Sequence, residues 1–275
     1  MRLFSEDLKV ERIKIKIDNL PSELSGLKIV QLSDLHYDGE CLSDQLLLKA
    51  IEISNNEKPD IVALTGDFIT HKVSAILGLI PYLKSLKSKQ KIYACLGNHD
   101  VYSSRNARRI VTQNLTSVGI QVLWNKIDYL YNYQLAIVGL ADLWSSDFNP
   151  QPIFAQLPTD TPRIVLAHNP DTMEDLQEFT VDLQLSGHTH GGQIVIPFIG
   201  PLPMIIMKIR QITPPFLRQF IPYVNVCAKI VKHWEWSEGY HRVGKNQLYV
   251  NRGLGTYSPG RLFCPPELTV ITLIS

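Results

Sequence analysis

The sequence predicts a layered α/β fold with two sheets packed against each other. Short continuous apolar runs recur along the chain, segments of helical spacing separate several of them, and two strands of different company close the sequence. Continuous runs mark strands buried on both faces, and their alternation with helices is the signature of α/β layers. The runs fall at residues 28–33, 60–65, 91–96, 135–140, 163–167 and 182–186. Helical spacing appears at 44–55, through Leu47, Leu48 and Ile51, and at 103–118, through Ala107, Ile110, Val111 and Leu115. The closing strands, 247–250 and 267–274, point to a second sheet laid on the first.

Composition narrows the function classes. The chain has 275 residues, 45% of them hydrophobic and 19% charged, which suits one large globular domain or two small ones. With 27 basic against 26 acidic side chains it lacks the broad basic surface that coating nucleic acid requires. The start, Met1-Arg2-Leu3-Phe4 followed by Glu6-Asp7, has no apolar stretch after its basic residue, so a cytoplasmic location is expected. The longest apolar stretch, 194–207, carries Pro197, Pro201 and Pro203 and falls short of the roughly 20 residues a spanning helix needs. Cys41, Cys95, Cys227 and Cys264 lie far apart without a C-x-x-C pair, the pattern of reduced, packed thiols.

The chemistry sits where the apolar runs end. Ser33-Asp34-Leu35-His36 follows the first run, Gly66-Asp67 the second and Gly97-Asn98-His99-Asp100 the third. His168-Asn169-Pro170 and Gly187-His188-Thr189-His190-Gly191-Gly192 follow two later ones. Crevices in open α/β sheets lie outside the carboxyl ends of strands, so these scattered residues are expected to converge. Asp, His and Asn without cysteine suit a hard or borderline divalent ion in a mixed nitrogen and oxygen shell, and there are about enough ligands for two ions. Taken singly, each motif is also an ordinary turn or helix cap. Five in this order, each after a buried strand, are not. Asp142, after the 135–140 run, reads either as a support for the site or as a turn residue, and Tyr37 and Asp38 either as substrate contacts or as turn residues.

The ordered series Asp34-x-His36, Gly66-Asp67, Gly97-Asn98-His99-Asp100, His168 and Gly187-His188-x-His190 resembles the calcineurin-like metallophosphoesterase superfamily over about residues 26–196. The entry into the first motif at 27–36, the 166–171 segment, Gly187 to Gln193 and the tail from Arg252 to Glu267 are similar to its YkuE/YaeI-type bacterial branch, which includes a UDP-2,3-diacylglucosamine pyrophosphatase. The resemblance implies a four-layer α/β/β/α sandwich of two packed mixed sheets flanked by helices. It also implies two divalent metals, Mn²⁺ first with Fe²⁺ or Zn²⁺ as alternatives. Asp34, His36 and His190 would hold one, Asn98, His168 and His188 the other, and Asp67 would bridge them. Two such ions clamp and polarise a phosphoryl group and generate a nucleophile from water. His99 would contact the substrate phosphate or protonate the leaving oxygen, with Asp100 orienting it. Protein phosphatases of the superfamily carry a phosphate-gripping arginine after Gly-Asp; here the stretch reads Gly66-Asp-Phe-Ile-Thr-His-Lys72, which favours diesters or pyrophosphates over phosphoproteins. The same motifs are compatible with a soluble phosphodiesterase or nuclease, or with a non-catalytic scaffold that kept the fold.

The whole chain, 1–275, is expected to form a single metallophosphoesterase domain with a basic, apolar cap at about 194–245. Between Ile194 and Trp234 stand five basic residues (Lys208, Arg210, Arg218, Lys229, Lys232), no acidic ones and six prolines among many apolar side chains. Following the His-Thr-His segment, it is expected to overhang the crevice. Its plain reading is a structural cap; the other is a surface for acyl chains and anionic headgroups. The second implies a lipid-linked phosphodiester or pyrophosphate substrate and contact with the inner face of the cytoplasmic membrane. No protein partner is implied.

Overall fold

A computed structural model describes residues 7–132 and 134–275; the N-terminal reading at residues 1–6 lies outside the described residues. Among the described residues the strands are β1 (Lys9–Lys16), β2 (Lys28–Leu32), β3 (Ile61–Thr65), β4 (Lys91–Cys95), β5 (Ile120–Val122), β6 (Lys126–Leu130), β7 (Leu135–Gly139), β8 (Arg163–Leu166), β9 (Leu183–Ser186), β10 (Val195–Ile196), β11 (Gly200–Pro201), β12 (Gly239–Val243), β13 (Asn246–Val250) and β14 (Glu267–Ile274). The α-helices are α1 (Asp44–Asn56), α2 (Ile76–Leu83), α3 (Asn98–Tyr102), α4 (Ala107–Ser117), α5 (Gln151–Phe154), α6 (Thr172–Asp175), α7 (Leu202–Ile212) and α8 (Val224–Ile230).

One sheet has the order β1-β14-β2-β3-β4-β5, the other β12-β13-β9-β8-β7-β6. In the first, β2 to β5 run parallel and β14 enters antiparallel to β2. In the second, β13, β9, β8 and β7 are parallel and each edge strand is antiparallel to its neighbour. Between the sheets lies a layer built from Ile29, Ile61, Ala63, Tyr93 and Ile271 on one side and Ile137, Ile164, Leu166, Leu183 and Leu185 on the other. The outer face of the first sheet is covered by Leu47 and Ile51 of α1, Leu79 and Leu83 of α2 and Val111 and Leu115 of α4. Ile153 and Phe154 of α5 and Met173 of α6 cover the second. These are the four layers α/β/β/α. Because both faces of each sheet are covered, the central strands are continuous apolar runs.

Strand membership differs from the simple reading of the chain. β7, β8 and β9 belong to the second sheet, where β13 joins them, while β14 returns to the first beside β2. Apolar runs report burial, whereas partner choice depends on pairings more than 200 residues apart, such as Val270 with Val30. The register then positions the site. Leu32 pairs with Leu64, Thr65 with Cys95, and Leu166 with Leu185, so the carboxyl ends lie level within each sheet.

The segment after β9 is a separate unit of packing. The β10–β11 hairpin leads into α7, a 3-10 segment (Pro215–Phe220) and α8. Cys227, Val231 and Trp234 form a small buried cluster with Met204, Ile206, Met207 and Ile230. Its outer surface leaves Ile212 83%, Phe216 70% and Phe220 73% exposed. Among the described residues, no helix is long and apolar enough to cross a membrane.

Candidate metal centre

All seven metal-ligand candidates lie just beyond carboxyl ends of strands: Asp34 and His36 after β2, Asp67 after β3, Asn98 after β4 at the start of α3, His168 after β8, and His188 and His190 after β9. The sharp reversals are built into the backbone. Asp34, His36, Asp67, His188 and His190 all adopt left-handed φ, between 44° and 72°. For residues with a Cβ this conformation costs free energy and persists only where the surroundings enforce it. Two glycines make the crowding possible. A Cβ on Gly187 would lie 2.0 Å from Ser33 Oγ and 2.1 Å from Asp34 Oδ2, and Gly66, at φ +92°, would meet Gly97 N at 2.6 Å.

The donors meet in two overlapping groups. In the first, His36 Nε2 lies 3.2 Å from His190 Nε2, which lies 3.4 Å from Asp34 Oδ1. In the second, His168 Nε2 lies 3.2 Å from His188 Nδ1 and 3.1 Å from Asp67 Oδ2. Asp67 Oδ2 is also 3.4 Å from His36 Nε2, so this one oxygen stands between the groups. Its partner Oδ1 is occupied by the His99 amide at 2.9 Å. Asn98 Oδ1 is buried without any hydrogen-bond partner. A stranded buried acceptor costs about 1–3 kcal/mol, which coordination to a cation would relieve. Imidazole nitrogens and carboxylate oxygens, with that orphaned amide oxygen, fit divalent ions of the Mn²⁺, Fe²⁺ and Zn²⁺ type.

Backbone carbonyls set the imidazoles. His168 Nδ1 donates to Thr65 O at 2.7 Å, His188 Nε2 to Ile230 O at 3.1 Å, and His190 Nδ1 to Gly255 O at 3.1 Å. Each bond leaves the other ring nitrogen for the cluster, the usual device for fixing a metal-binding tautomer. Electrostatics follow the geometry. Burial works against charge on both members of the Asp67–His168 pair, but their proximity outweighs it: the carboxyl is held well below its usual range and the imidazole is pushed up to about 10. Burial, with His168 beside it, lowers His188 to about 4, and burial lowers His190 to about 3.

His99 stands against the cluster, its ring 4.9 Å from that of His36, within reach of Asp67 and His36. The group that orients it is Thr70 O, 2.7 Å from Nδ1, rather than Asp100. Asp100 is wholly buried; Oδ1 accepts from the amides of Phe68 and Ile69, and Oδ2 from Gly97 N. Burial and the nearby Asp67 charge push its carboxyl up to about 7. It therefore braces the turn that carries Asp67. Asp142 is likewise buried, its Oδ1 capping Trp144 N, and burial raises its carboxyl to about 6. Tyr37 bonds Asp44 and Asp38 caps Glu40 and Cys41, so both shape the turn after His36.

A cavity of about 620 Å³ opens over the cluster. His36, Asp67, Asn98, His99, His188 and His190 form its floor, and Leu202, Ile206, Val226, Cys227, Ile230 and Trp234 its roof.

A family model described as calcineurin-like phosphoesterase matches residues 27–192, the span that contains every residue of the cluster. The chain belongs to that family. It is 30% identical over 267 residues to the phosphodiesterase YaeI of Escherichia coli K12, an alignment covering 96% of this chain and 88% of that protein. It is 34% identical to the uncharacterized metallophosphoesterase YkuE of Bacillus subtilis 168, over 95% of this chain and 84% of that one. It is also 30% identical to the UDP-2,3-diacylglucosamine pyrophosphatase LpxG of Chlamydia muridarum, over 96% and 88%. The protein is thus a phosphoester hydrolase by family, and its cap lies beyond the matched span.

Three features of this phosphoesterase escape a reading of motifs. The Tyr257 hydroxyl lies 2.8 Å from His36 Nδ1 and its ring borders the cavity. Arg261, 1% exposed, donates to the carbonyls of His190, Arg252, Gly253, Gly255 and Cys264 and to Thr256 Oγ1, knitting the loop that orients His190. Ile230, already part of the roof, orients His188 through its carbonyl. The tail from 252 to 267, dense in Gly and Pro with one Tyr and two Arg, is the one signal that pointed to the first two.

Proposed function

We propose that this phosphoesterase hydrolyses a phosphodiester or pyrophosphate bond in a lipid-linked substrate at a dinuclear centre. Asp34, His36 and His190 would hold one divalent ion, Asn98, His168 and His188 the other, and Asp67 would serve both. When bound, the ions supply Lewis-acid polarisation of phosphoryl oxygens and activation of water, Mn²⁺ being the first choice for this donor set. His99, with Nδ1 committed to Thr70 O, keeps Nε2 for a phosphate oxygen or for proton delivery to the leaving group. Asp100 acts as a positioning residue through the Asp67 turn.

One observation carries the substrate class: a polar, ligand-rich floor faces an apolar roof across a single cavity. A short diester fills only the floor, whereas an acylated substrate fills both. The outer cap, with Phe216 and Phe220 exposed beside basic and no acidic residues, favours contact with an anionic membrane. Basic residues near such a surface contribute about 1 kcal/mol each. By analogy with the Chlamydia muridarum relative, UDP-2,3-diacylglucosamine is the first substrate to try.

The test compares that substrate with bis(p-nitrophenyl) phosphate, both with Mn²⁺, with and without anionic liposomes. Turnover of the lipid substrate should rise with liposomes and fall in Phe216→Ser/Phe220→Ser, while hydrolysis of the soluble diester persists. Equal effects on both substrates, or no binding to liposomes, would return the cap to a structural role. No turnover of either with any divalent metal would favour a non-catalytic scaffold.

A further inference from the structure

One part of the rim has no use in the reaction as described. Trp144 borders the metal-floored cavity and also a second, open depression of about 620 Å³ lined by Tyr102, Arg105, Arg108, Trp124 and Ser146. The Trp144 ring stands edge-on to His188, centroids 5.2 Å apart, and Tyr102 ends α3, the helix that begins with Asn98 and His99. The depression therefore starts where the candidate ligands stop.

Its surface is aromatic and carries two arginines and one carboxylate, Asp147, unlike the apolar roof. Trp144 is 47% and Tyr102 51% exposed. Arg108 is already committed, paired with Asp147 and stacked 4.9 Å over Trp124, which makes it a wall of the depression. Arg105 is exposed and, among the described residues, forms no ion pair or hydrogen bond. Exposed indole and phenol rings offer π-faces to a planar ring, and a free guanidinium offers donors to phosphate, ribose or ring oxygens. Acyl chains use none of these.

We propose that this depression is a shelf for the base of a nucleoside phosphate, with the heterocycle against Trp144, Arg105 on its oxygens, and the phosphorus over the ligand cluster. The inference rests on the phosphoesterase reading and deepens it. The base of such a substrate would reach outward past Trp144, with its apolar group under the cap.

The test measures inhibition of bis(p-nitrophenyl) phosphate hydrolysis by the Mn²⁺-loaded full chain, comparing UMP and AMP with ribose 5-phosphate, which has the sugar and phosphate but no base. The tighter nucleotide should inhibit about tenfold or more better than ribose 5-phosphate, the scale of one base–aromatic stack. In Trp144→Ala and in Arg105→Ala that ratio should fall towards one. Arg105→Ala, at an exposed position, carries the test if the tryptophan variant fails to fold. Equal inhibition by nucleotide and ribose 5-phosphate, or a ratio unchanged in both variants, overturns the shelf. Calorimetric binding of the same three compounds gives the ratio independently of turnover, so the shelf fails on the ratio and the hydrolase reading fails on absent turnover.

Discussion

Replacing Arg261 with methionine should loosen the site without replacing a candidate ligand. The guanidinium is wholly buried and has no carboxylate among its hydrogen-bond partners; it donates instead to five carbonyls and the Thr256 hydroxyl. Swapping a buried ion pair for apolar residues is often neutral, but that holds when both partners are replaced. Here the carbonyls stay. The bonds to Arg252 O and Gly255 O, both 2.7 Å, are the shortest; Gly255 O keeps His190 Nδ1 as a donor, so the stranded acceptor is Arg252 O, at about 1–3 kcal/mol of destabilisation. At about 2–4 °C per kcal/mol the lower end is a fall in Tm of about 2 °C. Arg261 also bonds His190 O and holds in place Gly255 O, the acceptor for His190 Nδ1, so metal affinity should drop by about ten- to a hundredfold, the usual effect of disturbing the outer partners of a ligand. Thermal unfolding of the metal-free chain reads the first effect, and Mn²⁺ titration at a temperature where the variant is folded reads the second. A Tm and a Kd both equal to those of the unchanged protein would refute the reasoning.

Asp67→Asn should abolish hydrolysis and lower bound metal after dialysis, because the shared oxygen loses its charge; two retained metals with a normal rate would break the ligand assignment. His99→Ala should keep its metal while kcat falls by about 10²–10⁴, the range for a lost general acid, and an unchanged kcat would remove it from the reaction. Asp171→Ala should raise hydrogen exchange at residues 228–233, since its carboxylate accepts from the amides of Lys232 and His233 and so fastens the end of α8 to the domain. Unchanged exchange there would show that the cap is held elsewhere.

What the sequence made legible was what is local. An apolar run followed directly by Asp-x-His or Gly-Asn-His-Asp is a strand and its loop, and all seven candidate ligands met where strand ends converge. What it hid depended on distance or on backbone. β1 alternates charged and apolar residues because it is an edge strand, so no continuous run announced it. β14 carries the same apolar character as the strands of either sheet, and only its register with β2 decides its place. Asp100 sits beside His99 in the chain, yet the short α3 helix turns its carboxylate back to the amides of Gly97, Phe68 and Ile69. Thr65 O, Gly255 O and Ile230 O orient three histidines, and a carbonyl has no residue-type signature. Arg261 was one of 27 basic residues until the fold buried it.

The bond from His188 to Ile230 O changes what the cap can be used to test. Ile230 ends α8, and the same helix supplies Val226 and Cys227 to the cavity roof, so one element both covers the substrate space and orients a candidate ligand. Thr189, next to that ligand, donates through Oγ1 to Ser237 O, which fastens the far end of the cap to the same loop. Deleting 194–236 would therefore remove an outer partner of His188 along with the apolar roof, and lost activity would not separate the two. Substitutions on the outward face avoid this ambiguity. Phe216 and Phe220 lie in the 3-10 segment before α8, and neither belongs to the buried cluster around Trp234. A loss confined to lipid turnover in the Phe216→Ser/Phe220→Ser variant thus assigns a membrane role to that face, while the His188 tether and the metal centre beneath it stay as they are.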